Sequence, residues 1–164
     1  MKQLFYILLV VTFISCNKEN AWDCIQTSGA PITQELIVDA FDKILVNRDI
    51  ELVVKEGVEY KVEIQTAEHL LDTIEVIVLD NQLQLTNSNS CNFVRDYGLT
   101  KMIVTTPTLK EIRSSTQYLT SSEGILTFED LFLISENYNS DYISSGDFNM
   151  TLNTQSLRVV ANNL

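Results

Sequence analysis

Between residues 41 and 66 the chain reads FDKILVNRDIELVVKEGVEYKVEIQT, and apolar side chains occupy every second position: Ile50, Leu52 and Val54, then Val58, Tyr60, Val62 and Ile64. Successive side chains of an extended strand point to opposite faces, so a sustained period of two turns one face toward a core and the other toward water. A helix would need apolar positions three and four apart to bury a stripe of this kind. The alternation therefore commits the chain to half-buried strands. Turn signals divide them: Glu56-Gly57, Asp80-Asn81 between IEVIVL and QLQLT, and Pro107 after KMIVTT. One short helical piece, AEHLLDT over residues 67–73, is too brief for more than a turn or two. Beyond Pro31 nearly everything is expected to be strand or turn.

From residue 109 the charged residues thin out, and Ser, Thr and Asn fill the positions between isolated aliphatics and aromatics. LKEIRSS, LFLISEN and LRVVANN begin at Leu109, Leu131 and Leu157, and Tyr118 and Tyr142 recur at a similar interval. A unit of about two dozen residues, built of very short strands and polar turns, is the signature of one coil of a solenoid that grows by stacking. The expected fold is all-β, a right-handed parallel β-helix or solenoid with short strands. An antiparallel sandwich or meander with similar strand spacing is the other architecture consistent with the pattern. The sequence stops at Asn162-Asn163-Leu164 as a third copy begins, so truncation at the C-terminal side is expected.

The N-terminus carries different information. Lys2 precedes the apolar run Leu4 to Phe13, far short of the ~20 residues that span a bilayer core. It reads as a helical signal peptide over residues 1–15. Phe13-Ile14-Ser15-Cys16 resembles a bacterial lipobox, which would make Cys16 the lipidated first residue of the mature chain; a plain secreted protein is the other reading. Residues 16–30 then serve as a tether and 31–164 as the β domain, irregular over 31–107 and coiled over 108–164. Asn17, where inner-membrane retention usually has Asp, points to the outer membrane, and Glu19 close behind hints at surface export. Export leaves Cys24 and Cys91 as a pair that an oxidising compartment could join.

At 164 residues and 45% hydrophobic content the chain can bury one domain's core. Its net charge is −11, and losing Lys2 with the leader takes it to −12. Nucleic acid is therefore no partner, since phosphate binding needs clustered Lys and Arg.

Five segments, DCIQTSG (23–29), FDKILVNRDIELVVKEG (41–57), AEHLLDTIEVIVLDNQLQL (67–85), CNFVRDYG (91–98) and MIVTTPTLKEI (102–112), resemble in order the auto-transporter adhesin, head GIN domain family of Bacteroidetes-type bacteria. The resemblance covers most of the mature chain. It implies an exported β-helical domain, often on a lipoprotein, with an adhesive or envelope role. Arg113-Ser114-Ser115 stands where family members often have glycine-rich turns.

Catalytic and metal chemistry find little support. The lone histidine, His69, lies beside Glu68 in the short helical piece, where nothing positions it against a nucleophile. No His or Cys pair has zinc-ligand spacing. Asn137, Asn139 and Asp141 mimic the start of a calcium loop, but Tyr142 stands where glycine is required and Phe148 where the bidentate Glu belongs. No cofactor is implied. A glycan-cleaving enzyme would need convergent carboxylates with a basic residue beside them. Here Arg113, Arg158, Glu123, Glu129, Asp130, Glu136, Asp141 and Asp147 fall mostly in expected turns. The expected function is a non-enzymatic, lipid-anchored module that binds a glycan or protein at the cell envelope. Exposed tyrosines among Tyr97, Tyr118, Tyr138 and Tyr142 would supply contact, Tyr138 foremost because it lies in the polar turn ENYNSD; Tyr118 and Tyr142, in repeat register, are expected to fill the core. The alternatives are a β-helical carbohydrate-active enzyme and a passive envelope component.

Overall fold

The computed structural model describes residues 27–89, 98, 100–137 and 144–162. Twelve strands occur among them: β1 (Pro31–Ile37), β2 (Lys43–Asn47), β3 (Glu51–Glu56), β4 (Lys61–Ala67), β5 (Ile74–Leu79), β6 (Gln82–Asn87), β7 (Lys101–Thr106), β8 (Glu111–Ser115), β9 (Thr120–Leu126), β10 (Asp130–Ser135), β11 (Phe148–Leu152) and β12 (Ser156–Ala161). A 3-10 helix, Glu68–Thr73, occupies the short helical piece that the sequence predicted. Sheet 1 has the order β1-β4-β7-β3-β9-β11 and sheet 2 the order β12-β10-β8-β2-β6-β5.

Each inward face follows from the period of two. Ile44 and Val46 of β2 and Leu52 and Val54 of β3 are fully buried, and Val62, Leu83, Leu85, Met102, Val104 and Ile112 join them in one apolar cluster that both sheets share. At ~25 cal/mol per Å2 of apolar surface removed from water, such side chains each contribute about 1.5–3 kcal/mol. Several polar groups buried with them find partners. Asn47 Nδ2 donates to Thr86 Oγ1 at 2.9 Å, Thr66 and Thr100 hydroxyls meet at 3.0 Å, and Thr116 Oγ1 donates to Ile50 O at 3.0 Å. Ser135 and Ser144 hydroxyls meet at 2.7 Å.

The sheets are mixed, where the repeat predicted parallel coils throughout. β2 is parallel to β6 and β8, β3 to β7 and β9, β8 to β10, β9 to β11 and β10 to β12. By contrast β1–β4, β4–β7 and β5–β6 are antiparallel. The reason is local at β5–β6: Asp80 and Asn81 both hold positive φ, 50° and 63°, the backbone of a two-residue hairpin turn, and a hairpin can only reverse the chain.

Stacking does not follow chain order. β2 and β3 lie in the middle, with β6 and β7 on one side of them and β8 and β9 on the other, then β10 and β11 outside those. Parallel pairing thus runs on both sides of Pro107, in the same two sheets. Leu131 aligns with Leu157, its counterpart in the next copy, as the repeat predicted. The earlier copy is shifted by one: Phe132, not Leu131, aligns with Glu111, because Leu109 and Lys110 form the corner before β8.

Candidate binding surface

Among the described residues, the outward face of sheet 1 carries a polar concavity. Register sets its rows. Lys55 of β3 aligns with Thr105 of β7, which aligns with Lys61 of β4; the next row holds Val53, Ile103 and Glu63. On the far side Lys55 aligns with Glu123 of β9. The turn after β3 overhangs this surface, with Val58 93% exposed. That turn lies close against β7 because Gly57 has no side chain: a Cβ there would stand 2.5 Å from Thr105 Cγ2, while Gly57 N donates to Thr106 O at 3.1 Å. The result is a shallow groove of about 230 Å3 lined by Lys55, Val58, Glu59, Lys61, Glu63, Ile103, Thr105 and Glu123.

Both of its lysines are paired. Lys55 Nζ lies 2.6 Å from Glu123 Oε1, and Lys61 Nζ lies 3.0 Å from Glu35 Oε1. The hydrogen bond that Lys61 donates to Glu35, reinforced by the carboxylate's charge, raises the Lys61 pKa above its ordinary 10.5. An ammonium held protonated in this way is a donor, not a nucleophile or base. A second groove, lined by Glu56, Pro107, Thr108, Lys110, Thr127 and Phe128 among others, sits at the corner between the sheets. There Glu56 accepts from Thr127 N at 2.5 Å and Oγ1 at 2.7 Å, and Asp42 raises the Lys110 pKa chiefly by hydrogen bonding it at 2.8 Å. These contacts fasten successive corners together.

The residues singled out by sequence fare differently. His69 Nδ1 lies 2.7 Å from Thr27 O, and its ring packs against Gly29, so it anchors the segment before β1. Asn137 Oδ1 accepts from Ser144 N at 2.7 Å. Tyr118 is half-buried, between Gly98 and Gly146: a Cβ at Gly98 would stand 3.1 Å from its ring, and one at Gly146 would stand 1.9 Å from its carbonyl oxygen. Among the described residues no group of three His, Cys, Asp or Glu could hold a metal ion, and no helix is long and apolar enough to cross a membrane. Cys16, Cys24, Cys91, Tyr97, Tyr138, Tyr142, Asn139 and Asp141 lie outside the described residues. Of the scattered charges, Arg113 bonds Glu111 Oε1 at 3.3 Å and also Glu136, on the outward face of sheet 2. Arg158 lies 4.6 Å above the Phe132 ring.

Sequence reasoning did not single out the Lys55–Thr105–Lys61 row. The alternation marks Lys55 and Lys61 as outward, but not that β7 inserts between their strands.

The described residues thus form an all-β domain of two mixed sheets. The chain belongs to the family described as "Putative auto-transporter adhesin, head GIN domain", whose model matches residues 40–164. Solved structures with the same fold include a "putative adhesin" from Bacteroides fragilis, 22% identical with a TM-score of 0.70, covering 82% of this chain and 60% of that one. Another, from Parabacteroides merdae, is 17% identical with a TM-score of 0.56, covering 82% of this chain and 57% of that one. A "putative lipid binding protein" from Parabacteroides distasonis is 15% identical with a TM-score of 0.53, over 65% of this chain and 46% of that one. The chain thus spans about 60% of the length of the first two. No curated protein matches it.

Proposed function

We propose that this protein is a lipid-anchored, non-catalytic envelope module, a short two-sided solenoid that displays the outward face of sheet 1 to a glycan or protein. The observation that carries this reading is the groove between Lys55 and Lys61. Ammonium and carboxylate groups alternate there with the exposed Val58 and with Ile103 and Thr105, a mixture of hydrogen-bonding groups and apolar patches that suits a polyhydroxylated ligand. The successive parallel pairs β8–β10 and β10–β12, each joining one copy of the repeat to the next, support the coil reading. Cys16 would hold the domain at the outer membrane, and Tyr138 would add a contact. The family's description supports an adhesive role.

Two assays test the parts. Membrane fractionation should find the parent chain acylated and membrane-bound and Cys16→Ala released; equal partitioning with no acyl mass on the parent removes the anchor. Incubation with envelope glycans, host matrix proteins and whole cells should give saturable binding without turnover.

A glycan-cleaving reading draws on Glu111 and Glu136, gathered on Arg113. It requires one of these carboxylates to act as an acid, yet both are tied to a guanidinium on an open sheet face. Glycan turnover abolished by Glu111→Gln or Glu136→Gln would establish it in place of the binding role.

A further inference from the structure

The two lysines of the sheet 1 groove are turned away from its floor. Strand order there runs β1-β4-β7-β3-β9, so β7 lies between the strands that carry Lys61 and Lys55. Lys61, on β4, reaches to Glu35 on β1, and Lys55, on β3, reaches to Glu123 on β9. Each ammonium is drawn to the side remote from β7 and already holds a carboxylate. The aliphatic stems stay behind as walls of the groove. Ile103 and Thr105 of β7 form the floor between them, with Val58 in the overhanging turn.

Two carboxylates of the lining lack a cation of their own. Glu63 aligns with Ile103 on one side and with Glu35 on the other, and it accepts from the uncharged amide of Gln65 at 2.7 Å. Like charges set directly opposite destabilise each other, and the single ammonium of Lys61 goes to Glu35. Glu59 is exposed in the overhanging turn, two residues before Lys61. Among the described residues no ion pair involves Glu59 or Glu63. The Lys61 pKa is raised first by the hydrogen bond and charge of Glu35 and then by the charges of Glu63 and Glu59, so the fields of all three reach this surface. Counting Glu35 with the lining, four carboxylates meet two ammoniums, and the groove keeps a net charge of −2. The chain as a whole, at −11, repels an acidic ligand at long range as well.

We propose, on the reading that this groove is the binding site, that its ligand is a glycan bearing unacylated amino groups, one of whose ammoniums docks on Glu63 and Glu59. The C–H face of the sugar ring lies on Ile103 and Val58, the latter 93% exposed and available for contact. Thr105 and the Lys55–Glu123 pair offer donors and acceptors to ring hydroxyls, which the side chain of a basic peptide does not have. An N-acetylated sugar brings the same hydroxyls without the charge, and a uronic acid brings the wrong charge.

Calorimetric titration of the full chain with a de-N-acetylated chitooligosaccharide, in mildly acidic buffer where its amines are protonated, tests the assignment. The parent should bind it saturably and at least ~10-fold more tightly than the N-acetylated oligomer of equal length. Glu59→Gln/Glu63→Gln should erase that preference. Glu75→Gln/Asp80→Asn, which removes as much charge from sheet 2, should keep it. Equal affinity for the two oligomers, or a preference lost equally in both double variants, overturns the proposal. A lysine-rich peptide that binds more tightly than the oligomer and depends on Glu59 and Glu63 overturns the glycan in favour of a basic protein. Saturable cell binding that falls in Lys55→Ala/Lys61→Ala, whose groove has lost its walls, but is untouched in Glu59→Gln/Glu63→Gln overturns the amine-bearing ligand and leaves the groove as the binding surface. A parent that binds neither oligomer nor cells overturns both.

Discussion

Ile44→Ala should be among the most damaging single truncations in the molecule, although β2 is an early strand that chain order would place at one end of the stack. Ile44 is fully buried and aligns with Leu83 on one side and Ile112 on the other. The change deletes three buried carbons, a transfer loss of about 2.4 kcal/mol at ~0.8 kcal/mol each. Strands on both sides hold the site open, so the cavity persists and adds a further ~1–2 kcal/mol, for a total near 4 kcal/mol within the range for such truncations. A loss of this size lowers the melting temperature by roughly 12 °C or more in a domain of this length. Val58→Ala, at a side chain 93% exposed, serves as the control and should change stability by less than ~0.5 kcal/mol. Urea titration followed by circular dichroism, with equal slopes for parent and variant, reads both values. An Ile44→Ala loss below ~1 kcal/mol, equal to that of an edge position, would refute the central placement of β2.

Gly146→Ala should cost at least ~2 kcal/mol, because its Cβ would meet backbone atoms, Tyr118 O at 1.9 Å and Thr116 O at 3.0 Å, which cannot swing aside. Gly124→Ala, with φ at +81° but open space around it, should cost only the left-handed strain of ~1 kcal/mol; thermal melts that reverse this order contradict the packing. Glu35 raises the Lys61 pKa, so that pair's stabilisation is complete at neutral pH and is lost only as pH climbs through the raised value above 10.5. Melts of parent and Lys61→Met should therefore differ by a constant amount between pH 6 and 9 and converge in alkali; a difference that changes near neutrality argues against the pair. Joining Cys24 to Cys91 closes a long loop, a constraint worth roughly 4 kcal/mol. Peptide mapping without reductant should recover the linked peptides, and free thiols at both positions in exported protein would exclude the bond.

Much of this fold is legible in the sequence. Of the alternating set over residues 50–64, Ile50, Leu52, Val54, Val62 and Ile64 are buried and Tyr60 is half-buried, but Val58 falls in the turn after β3 and is 93% exposed. Asp80-Asn81 gives the hairpin, and Leu131 with Leu157 gives the last parallel step. The stacking order is not legible, because alternation specifies which face of a strand is buried and not which strand lies beside it. β2 and β8 are partners although β3 to β7 lie between them in the chain, and β6 and β7 go to the opposite side. The one-residue slip between Leu109 and Leu131 has a similar cause: the corner after Pro107 puts Leu109 into the core ahead of its strand, so two buried leucines in like positions are not partners. The candidate groove is hidden for the same topological reason. Lys55 and Lys61 are near neighbours in sequence, but the structure separates their strands by β7 and so opens a surface between them instead of a hairpin.

The most direct measurement is a binding isotherm of the fluorescently labelled chain on whole bacterial cells, with parent and Lys55→Ala/Lys61→Ala compared after both are shown to melt alike. Saturable binding by the parent, weakened at least ~10-fold in the double variant, is the result expected of a display module that recognises through the outward face of sheet 1. Binding that never saturates, or that is equal in the two proteins, contradicts it.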